Sequence, residues 1–188
     1  MFNKKILLAS QSPRRNELLR MAGFNFRAVT ADVDETYSGD IPPEEFPEHL
    51  AQKKADAVKS QAQSDEVILA ADTIVLKDGI IYGKPADRND AIQILKELSG
   101  VRHEVITGVC LMSPGKQVAF SVVTSVYFKP LSEEQIVYYV DRFKPFDKAG
   151  AYAIQEWIGL IGISKIEGCY FNVMGLPVSR VAEELERF

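Results

Sequence analysis

The stretch from Val67 to Pro85 constrains the fold more than any other part of the chain. Its first ten residues, VILAADTIVL, have the apolar composition of a buried strand, interrupted by one carboxylate, Asp72. Aspartate is depleted in strands, and a buried carboxylate without partners either costs a few kcal/mol or takes up a proton. Because polar groups in unfavourable places cluster at functional sites, Asp72 is a candidate site residue, with a structural ion pair as the alternative.

The Asp78-Gly79 pair after this run is the strongest short-range signal for a β-hairpin. A two-residue turn at this pair fixes the register of the two strands. The predicted cross-strand pairs are Lys77 with Ile80, Val75 with Tyr82 and Thr73 with Lys84. This register is expected to bring Lys84, the cation of the returning strand, beside Asp72.

Length and composition favour one soluble globular domain over residues 1–188, long enough to enclose a core. A net charge of -4 argues against a nucleic-acid partner, since such binding requires a basic surface. Cys110 and Cys169 are interpreted as apolar side chains, and no Cys or His spacing predicts a metal site. The N-terminal apolar run is too short for a signal peptide, and no later run reaches membrane-spanning length. We therefore expect a cytoplasmic protein with no membrane partner.

A possible phosphate site follows the first predicted strand, Lys5 to Ala9. Ser12 is expected to cap a helix that begins at Pro13. Arg14 and Arg15 lie in its first turn, where their positive charges are unfavourable because the helix N-terminus already carries partial positive charge. Free N–H groups, guanidinium groups and serine hydroxyls, that of Ser10 included, together indicate phosphate binding, with two solvated arginines as the alternative.

A second candidate cluster combines an acidic segment with a lysine. The carboxylates of Asp32-Val33-Asp34-Glu35 could hold a hard divalent cation, or the segment could be a solvated loop. A helix is predicted from about Pro42 to Gln63. Its apolar stripe consists of Ala51, Ala55, Val58 and Ala62. Lys54 lies at the edge of this stripe, so its ammonium group could point into a cleft or simply extend to solvent.

The remaining pattern alternates strands with helices. Further helices are predicted at 87–99, 132–143 and about 176–186, and further strands at 24–30, 103–113, 117–128 and 157–166. This order favours an α/β or α+β fold with a twisted, mixed sheet. Sites in such folds gather at the carboxyl ends of strands, where Ser10 to Arg15 is expected.

Five motifs along nearly the whole chain carry a family resemblance: ILLASQSPRRNELL, AADTIVLKDGIIYGKP, LSGVRHEVITGV, DKAGAYAIQ and NVMGLPVSRV. In these motifs and in their order, the chain resembles the Maf family of nucleoside triphosphate pyrophosphatases. The Asp-Thr pair and the AGAYAIQ stretch resemble the branch of the family that favours dTTP and UTP, not the branch that prefers 7-methyl-GTP.

The resemblance implies a fold, a cofactor and a partner. It implies an elongated mixed sheet flanked by helices, with two lobes around a central cleft, similar to inosine triphosphate pyrophosphatases. It also implies a homodimer, a nucleoside triphosphate as the small-molecule substrate and a divalent metal cation, Mg²⁺ or Mn²⁺.

The resemblance also assigns roles to residues. Asp72 corresponds to the proton acceptor. Three positions, Arg14, Thr73 and Gln155, correspond to those linked with substrate choice. The expected phosphate-binding residues are Ser10, Arg14, Arg15, Lys54 and Lys84, and the expected metal ligands are Glu35 and Asp72. The chain departs from the family where Glu156-Trp157-Ile158 replaces a glycine-rich segment, so an acidic rim is expected beside Gln155.

These roles predict hydrolysis of dTTP and UTP between the α and β phosphates. One alternative is a non-catalytic nucleotide-binding regulator of cell division, which would need the cations but not the embedded carboxylate. Others are a pyrophosphatase of different base preference, such as 7-methyl-GTP, and a nucleotidyltransferase with a sugar acceptor. The chain has no P-loop, H-E-x-x-H or G-x-S-x-G motif, which excludes several other enzyme classes.

Overall fold

The computed structural model describes residues 4–188, which form seven strands and seven α-helices. The strands are β1 (Lys5–Ala9), β2 (Asn25–Val29), β3 (Glu66–Lys77), β4 (Ile80–Tyr82), β5 (Arg102–Ser113), β6 (Lys116–Phe128) and β7 (Ile163–Glu167). The helices are α1 (Pro13–Met21), α2 (Phe46–Ala57), α3 (Arg88–Leu98), α4 (Glu133–Phe143), α5 (Trp157–Gly162), α6 (Tyr170–Val173) and α7 (Val178–Leu185). Short 3₁₀ helices occupy Lys59–Gln61 and Ala149–Ala151.

All the strands of this described part belong to one sheet, in the order β2-β1-β3-β5-β6-β7, with β4 paired to β3. β1 runs parallel to β2 and β3, whereas β4 is antiparallel to β3 and β7 is antiparallel to β6. The predicted fold class, an α/β mixed sheet flanked by helices, is therefore confirmed.

The β3–β4 hairpin has the predicted turn and register. Asp78 and Gly79 both have positive φ, 51° and 78°, which is typical of the two-residue turns that join twisted strands. The predicted pairs of Lys77 with Ile80 and Val75 with Tyr82 are present. The ladder ends at Tyr82, so the third predicted pair, Thr73 with Lys84, is not part of it. The chain leaves the sheet there because the Gly83 carbonyl accepts a hydrogen bond from Gly150 N–H, at 3.0 Å.

The chain divides into two compact units. The first comprises the chain up to Asp72 together with Thr107–Val122 and Gly175–Phe188. The second comprises Thr73–Ile106 and Val123–Met174. The single domain over residues 1–188 and the cleft expected from the family resemblance stay predictions.

The core of the first unit lies between α2 and strands β1, β3 and β5. Its buried residues are Leu7, Ala9, Ala51, Ala55, Val58, Ile68, Ala70, Cys110 and Met112. Small alanines on α2 allow the helix to lie close to the sheet. The closest approach is at Gly108 on β5, where an added Cβ would lie 2.1 Å from the Glu48 nitrogen at the start of α2. Only glycine permits this approach, which sets the position of α2.

The second unit has a larger, partly aromatic core. Among its fully buried members are Leu95 and Leu98 of α3, Tyr139 and Val140 of α4, and Val126 of β6. The predicted strand at 157–166 is wrong in its first part, because Trp157–Gly162 forms α5 and β7 begins only at Ile163. An apolar run of this length fits a buried strand or a short helix equally well by periodicity.

No helix within residues 4–188 combines the length and the apolar character needed to cross a bilayer.

A buried histidine in the core of the second unit is expected to make the stability of the fold depend on pH. His103 is 1% exposed, and its Nε2 lies 2.8 Å from the Tyr152 hydroxyl. The rings of Phe128 and Tyr152 both meet the imidazole edge-on. Burial lowers the pKa of His103 from 6.5 to about 4, and the charges of Arg102 and Lys77 act in the same direction.

We expect His103 to reduce the free energy of unfolding by about 3 kcal/mol as the pH falls from about 7 to about 4. The unfolded chain takes up this proton near pH 6.5, whereas the folded chain does so only near 4. The stabilisation that is present above pH 6.5 is therefore lost as the pH falls through the pKa of His103 in the folded state, about 4. Urea unfolding at several pH values measures this loss, which should be smaller in His103→Gln. His49→Gln, which removes the only other histidine, is the control, and equal pH slopes for His103→Gln and wild type would contradict the assignment.

Candidate active site

One ammonium group joins two carboxylates in the first unit. The Lys54 Nζ donates to Asp72 Oδ1 at 2.6 Å and lies 2.7 Å from Glu35 Oε1. The Lys54 side chain is 8% exposed and that of Asp72 14%, whereas that of Glu35 is 42% exposed. Charges withdrawn from water this far are tolerated when they are paired, so Lys54 explains how Asp72 is accommodated in β3. The sequence predicts Lys84 beside Asp72 as well, and that placement stays a prediction.

Secondary structure explains why these groups meet. β3 is fully buried up to Ala71 and becomes half-buried at Asp72 and Thr73. Lys54 is buried on α2 while the adjacent Lys53 is exposed, as the helical stripe predicts. Lys53 donates to the backbone carbonyl of Asp34 at 2.8 Å, so neighbouring lysines bind neighbouring residues of the acidic segment.

The acidic segment does not act as one cluster. Glu35 joins Lys54 and Asp72, whereas the carboxylate of Asp34 accepts the Thr36 N–H at 2.9 Å. Hydrogen bonds from the side chain of Thr36 and then from its backbone N–H lower the pKa of Asp34. Asp32 is exposed. Only Glu35 of the predicted acidic segment therefore belongs to the group around Asp72.

The predicted phosphate motif forms a compact arrangement at the start of α1. Ser12 caps the helix by accepting the Arg15 N–H. Ser10 Oγ accepts bonds from Ser12 N–H at 3.2 Å and from Arg15 Nη1 at 3.3 Å. Arg15 Nε also donates to the Gly175 carbonyl at 2.8 Å, and Arg15 is only 9% exposed. The alternative of two solvated arginines is therefore wrong for Arg15.

Arg15 of the phosphate motif interacts electrostatically with Asp72 and Glu35. Burial lowers the pKa of Arg15, the negative charges of Asp72 and Glu35 oppose this effect, and the neighbouring Arg14 adds to it. The first unit thus brings together six of the predicted site residues: Ser10, Arg14, Arg15, Glu35, Lys54 and Asp72. Sequence reasoning missed the Gly175 carbonyl, which lies 160 residues from its partner and carries no side-chain signal.

The other three predicted site residues belong to the second unit. Thr73 is half-buried on β3, whereas Lys84 and Gln155 are exposed. The segment before Gln155 is fixed against the hairpin at Gly150, whose φ is 68° and whose added Cβ would lie 2.7 Å from the Val75 side chain. The same glycine donates to the carbonyl of Gly83, next to Lys84.

The expected acidic rim beside Gln155 is wrong. Glu156 is turned inward, so that its side chain is 23% exposed. Its Oε2 accepts a hydrogen bond from the Tyr139 hydroxyl at 2.5 Å, and its Oε1 lies 3.4 Å from Lys148 Nζ. The carboxylate is therefore bound to the core of the second unit. Sequence reasoning missed Tyr139 and Lys148, because their pairing with Glu156 depends on tertiary packing.

The carboxylates around Asp72 fit a divalent cation whose remaining ligands would come from a substrate and from water. Glu35 and Asp72 direct carboxylate oxygens to the same positive group, the Lys54 ammonium. Among residues 4–188 no group of three or more His, Cys, Asp or Glu side chains is placed to hold a metal ion. Mg²⁺ is often bound by only one or two carboxylates, with phosphate oxygens and water completing its shell, so two carboxylates are enough.

Comparison with known proteins gives matches over nearly the whole chain. A family model described as Maf-like protein matches residues 5–188. A protein of Phocaeicola vulgatus named dTTP/UTP pyrophosphatase is 52% identical over 184 residues, which cover 97% of this chain and 95% of that protein. A Cytophaga hutchinsonii protein of the same name is 50% identical over 185 residues, covering 98% of this chain and 84% of the relative.

Among solved structures, the Ham1 protein of Staphylococcus aureus matches with a TM-score of 0.47 and 16% identity. The match covers 66% of this chain and 72% of that chain.

Proposed function

This chain belongs to the Maf-like protein family, and on that premise we propose that it hydrolyses dTTP and UTP to the nucleoside monophosphate and pyrophosphate. Two relatives, 52% and 50% identical over 97% and 98% of this chain, carry the name dTTP/UTP pyrophosphatase. The structural observation that carries the proposal is the Asp72 carboxylate, held by Lys54 within electrostatic range of Arg15.

The cations of the first unit would bind the triphosphate. Phosphoryl transfer requires in-line positioning and neutralisation of the charge that develops on the leaving group, with little covalent work by the protein. Arg15 is held in place by Ser10 and Gly175, so its guanidinium loses little freedom when a phosphate binds. Arg14 and Lys54 add positive charge, and we assign Lys84 of the second unit the same role.

Asp72 would be the general base. A carboxylate that accepts a proton from water must be anchored in place. Asp72 is anchored by Lys54, which donates a hydrogen bond to its Oδ1 at 2.6 Å. Glu35 and Asp72 would also hold a divalent cation, Mg²⁺ or Mn²⁺, which when bound neutralises charge on phosphate oxygens.

Base selection would depend on Thr73 and Gln155. Their hydroxyl and amide groups can satisfy the polar edge of uracil or thymine. A site that hydrogen-bonds such an edge disfavours nucleotides that leave its polar groups unpaired. Homodimer formation stays a prediction from the family resemblance, and a cytoplasmic location stays a prediction from the sequence.

Pyrophosphate release from a panel of triphosphates tests the proposed function. We expect release from dTTP and UTP to be faster than from CTP, ATP, GTP or 7-methyl-GTP, and to be lost when a chelator removes the divalent cation. Binding of dTTP without pyrophosphate release, in Mg²⁺ and in Mn²⁺, would favour a regulatory protein. Consumption of nucleotide only when a sugar phosphate is added would instead indicate a nucleotidyltransferase.

A further inference from the structure

Gln155 lies in a turn whose backbone is closed and anchored. The N–H of Glu156 donates to the carbonyl of Ala153 at 3.1 Å, which places Ile154 and Gln155 at the centre of a four-residue turn. Ile154 is 7% exposed and belongs to the core of the second unit, whereas Gln155 is exposed. The turn therefore exposes the Gln155 amide while the adjacent Ile154 side chain is buried in the core.

A single hydroxyl joins the two ends of this turn. Tyr139 of α4 is fully buried, and its hydroxyl accepts the Ala153 N–H at 3.1 Å while it donates to Glu156. Burial, and then the bond to Glu156, raises the pKa of Tyr139. The hydroxyl therefore stays protonated and remains the donor of this hydrogen bond. Lys148, which is 8% exposed, pairs with Asp147 at 2.7 Å and lies 3.4 Å from Glu156.

The start of α5 holds the turn from its other side. An added Cβ on Gly159 would lie 1.7 Å from the Ile154 carbonyl oxygen, so backbone meets backbone at this point. The Gly159 N–H donates to the Glu156 carbonyl at 3.0 Å. With Tyr139 on one side and Gly159 on the other, the turn has little room to change its path.

We infer that Tyr139 and Glu156 are positioning residues for nucleotide selection, which hold the turn so that the Gln155 amide meets the polar edge of a pyrimidine base. The inference rests on the proposed function. A hydrogen-bonding group discriminates between ligands only when it is held in place, because a mobile group adapts to either ligand. The neighbouring segment agrees with this role, since Ala151 has a φ of 56°, a conformation that is uncommon for residues other than glycine and that clusters at functional sites.

The test compares UTP with ATP, which shares the triphosphate but carries a purine base that lacks the imide edge of uracil. Tyr139→Phe removes the hydroxyl and keeps the ring that stacks on Phe143, and Glu156→Ala removes the acceptor. We expect each variant to lower the ratio of kcat/KM for UTP to kcat/KM for ATP by about tenfold, the value of one well-made hydrogen bond. Glu156→Gln keeps an acceptor for Tyr139 and should retain most of the ratio.

Tyr138→Phe is the matched control, because Tyr138 is the exposed neighbour on the same helix. It should leave the ratio unchanged. A purely structural role of Tyr139 and Glu156 would lower both kcat/KM values equally, and an unchanged ratio in both variants would overturn the inference.

The same ratio can be measured without catalysis, from the affinities of the α,β-imido analogues of UTP and ATP. If wild type released no pyrophosphate from any triphosphate, the proposed function would fail, and these affinities would still decide the positioning role. A lower affinity ratio in Tyr139→Phe and Glu156→Ala supports the inference, and an unchanged one contradicts it.

Discussion

Replacement of Asp72 by asparagine is expected to lower turnover of dTTP by about two to four orders of magnitude, the usual contribution of a general base. Asparagine has nearly the same shape and keeps an oxygen that accepts from Lys54, so the pairing at 2.6 Å can persist without the charge. The loss should therefore appear mainly in kcat. Pyrophosphate release under saturating dTTP, with unfolding by urea as the check on folding, measures both effects.

Asp56→Asn is the control for this change, because Asp56 is an exposed carboxylate on the same helix as Lys54. It should keep wild-type turnover. If Asp72→Asn were folded and also released pyrophosphate at the wild-type rate, Asp72 would not be the base.

Lys54→Met is expected to lower kcat/KM by about a hundredfold to a thousandfold, as observed when one preorganised donor to developing charge is removed. Methionine can occupy a similar volume, but it leaves Glu35 and Asp72 without their shared cation. Their repulsion should also decrease the free energy of unfolding. Because Glu35 is 42% exposed and can turn to solvent, this decrease should be smaller than for a fully buried pair.

Steady-state kinetics with dTTP measures the effect of Lys54→Met. Lys59→Met, which removes an exposed lysine that follows the same helix, is the matched control and should leave kcat/KM unchanged. A Lys54→Met protein with kcat/KM within about threefold of wild type would remove Lys54 from the phosphate site and leave it a structural role.

Most of the regular structure could be predicted because its signals are local. The Asp78-Gly79 turn determines the register of β3 and β4, and the Ser12-Pro13 pair determines the start of α1. The register failed only beyond Tyr82, where Gly83 bonds to Gly150 instead of continuing the strand. The 157–166 segment was assigned wrongly at its start, because its close contact at Gly159 depends on Ile154 and on the tertiary fold.

The sequence could nominate Asp72 and Lys54 as candidates, but it could not predict the bond between them. Asp72 was recognisable because a carboxylate is out of place in a strand, and Lys54 because it lies at the edge of an apolar stripe. The bond between them joins residues 18 positions apart on different elements, and no local pattern specifies it. Tyr139 and Glu156 are 17 positions apart, and each is unremarkable within its own segment.

The position of Trp157 gives the molecule a built-in optical reporter. It is the only tryptophan of the chain, it follows Gln155 by two residues, and its ring packs against Tyr138 with 4.9 Å between centroids. All indole fluorescence therefore originates beside the turn that carries Gln155. Emission from the unlabelled protein can therefore test the proposal that nucleotide binds at that turn, without a dye or an engineered probe.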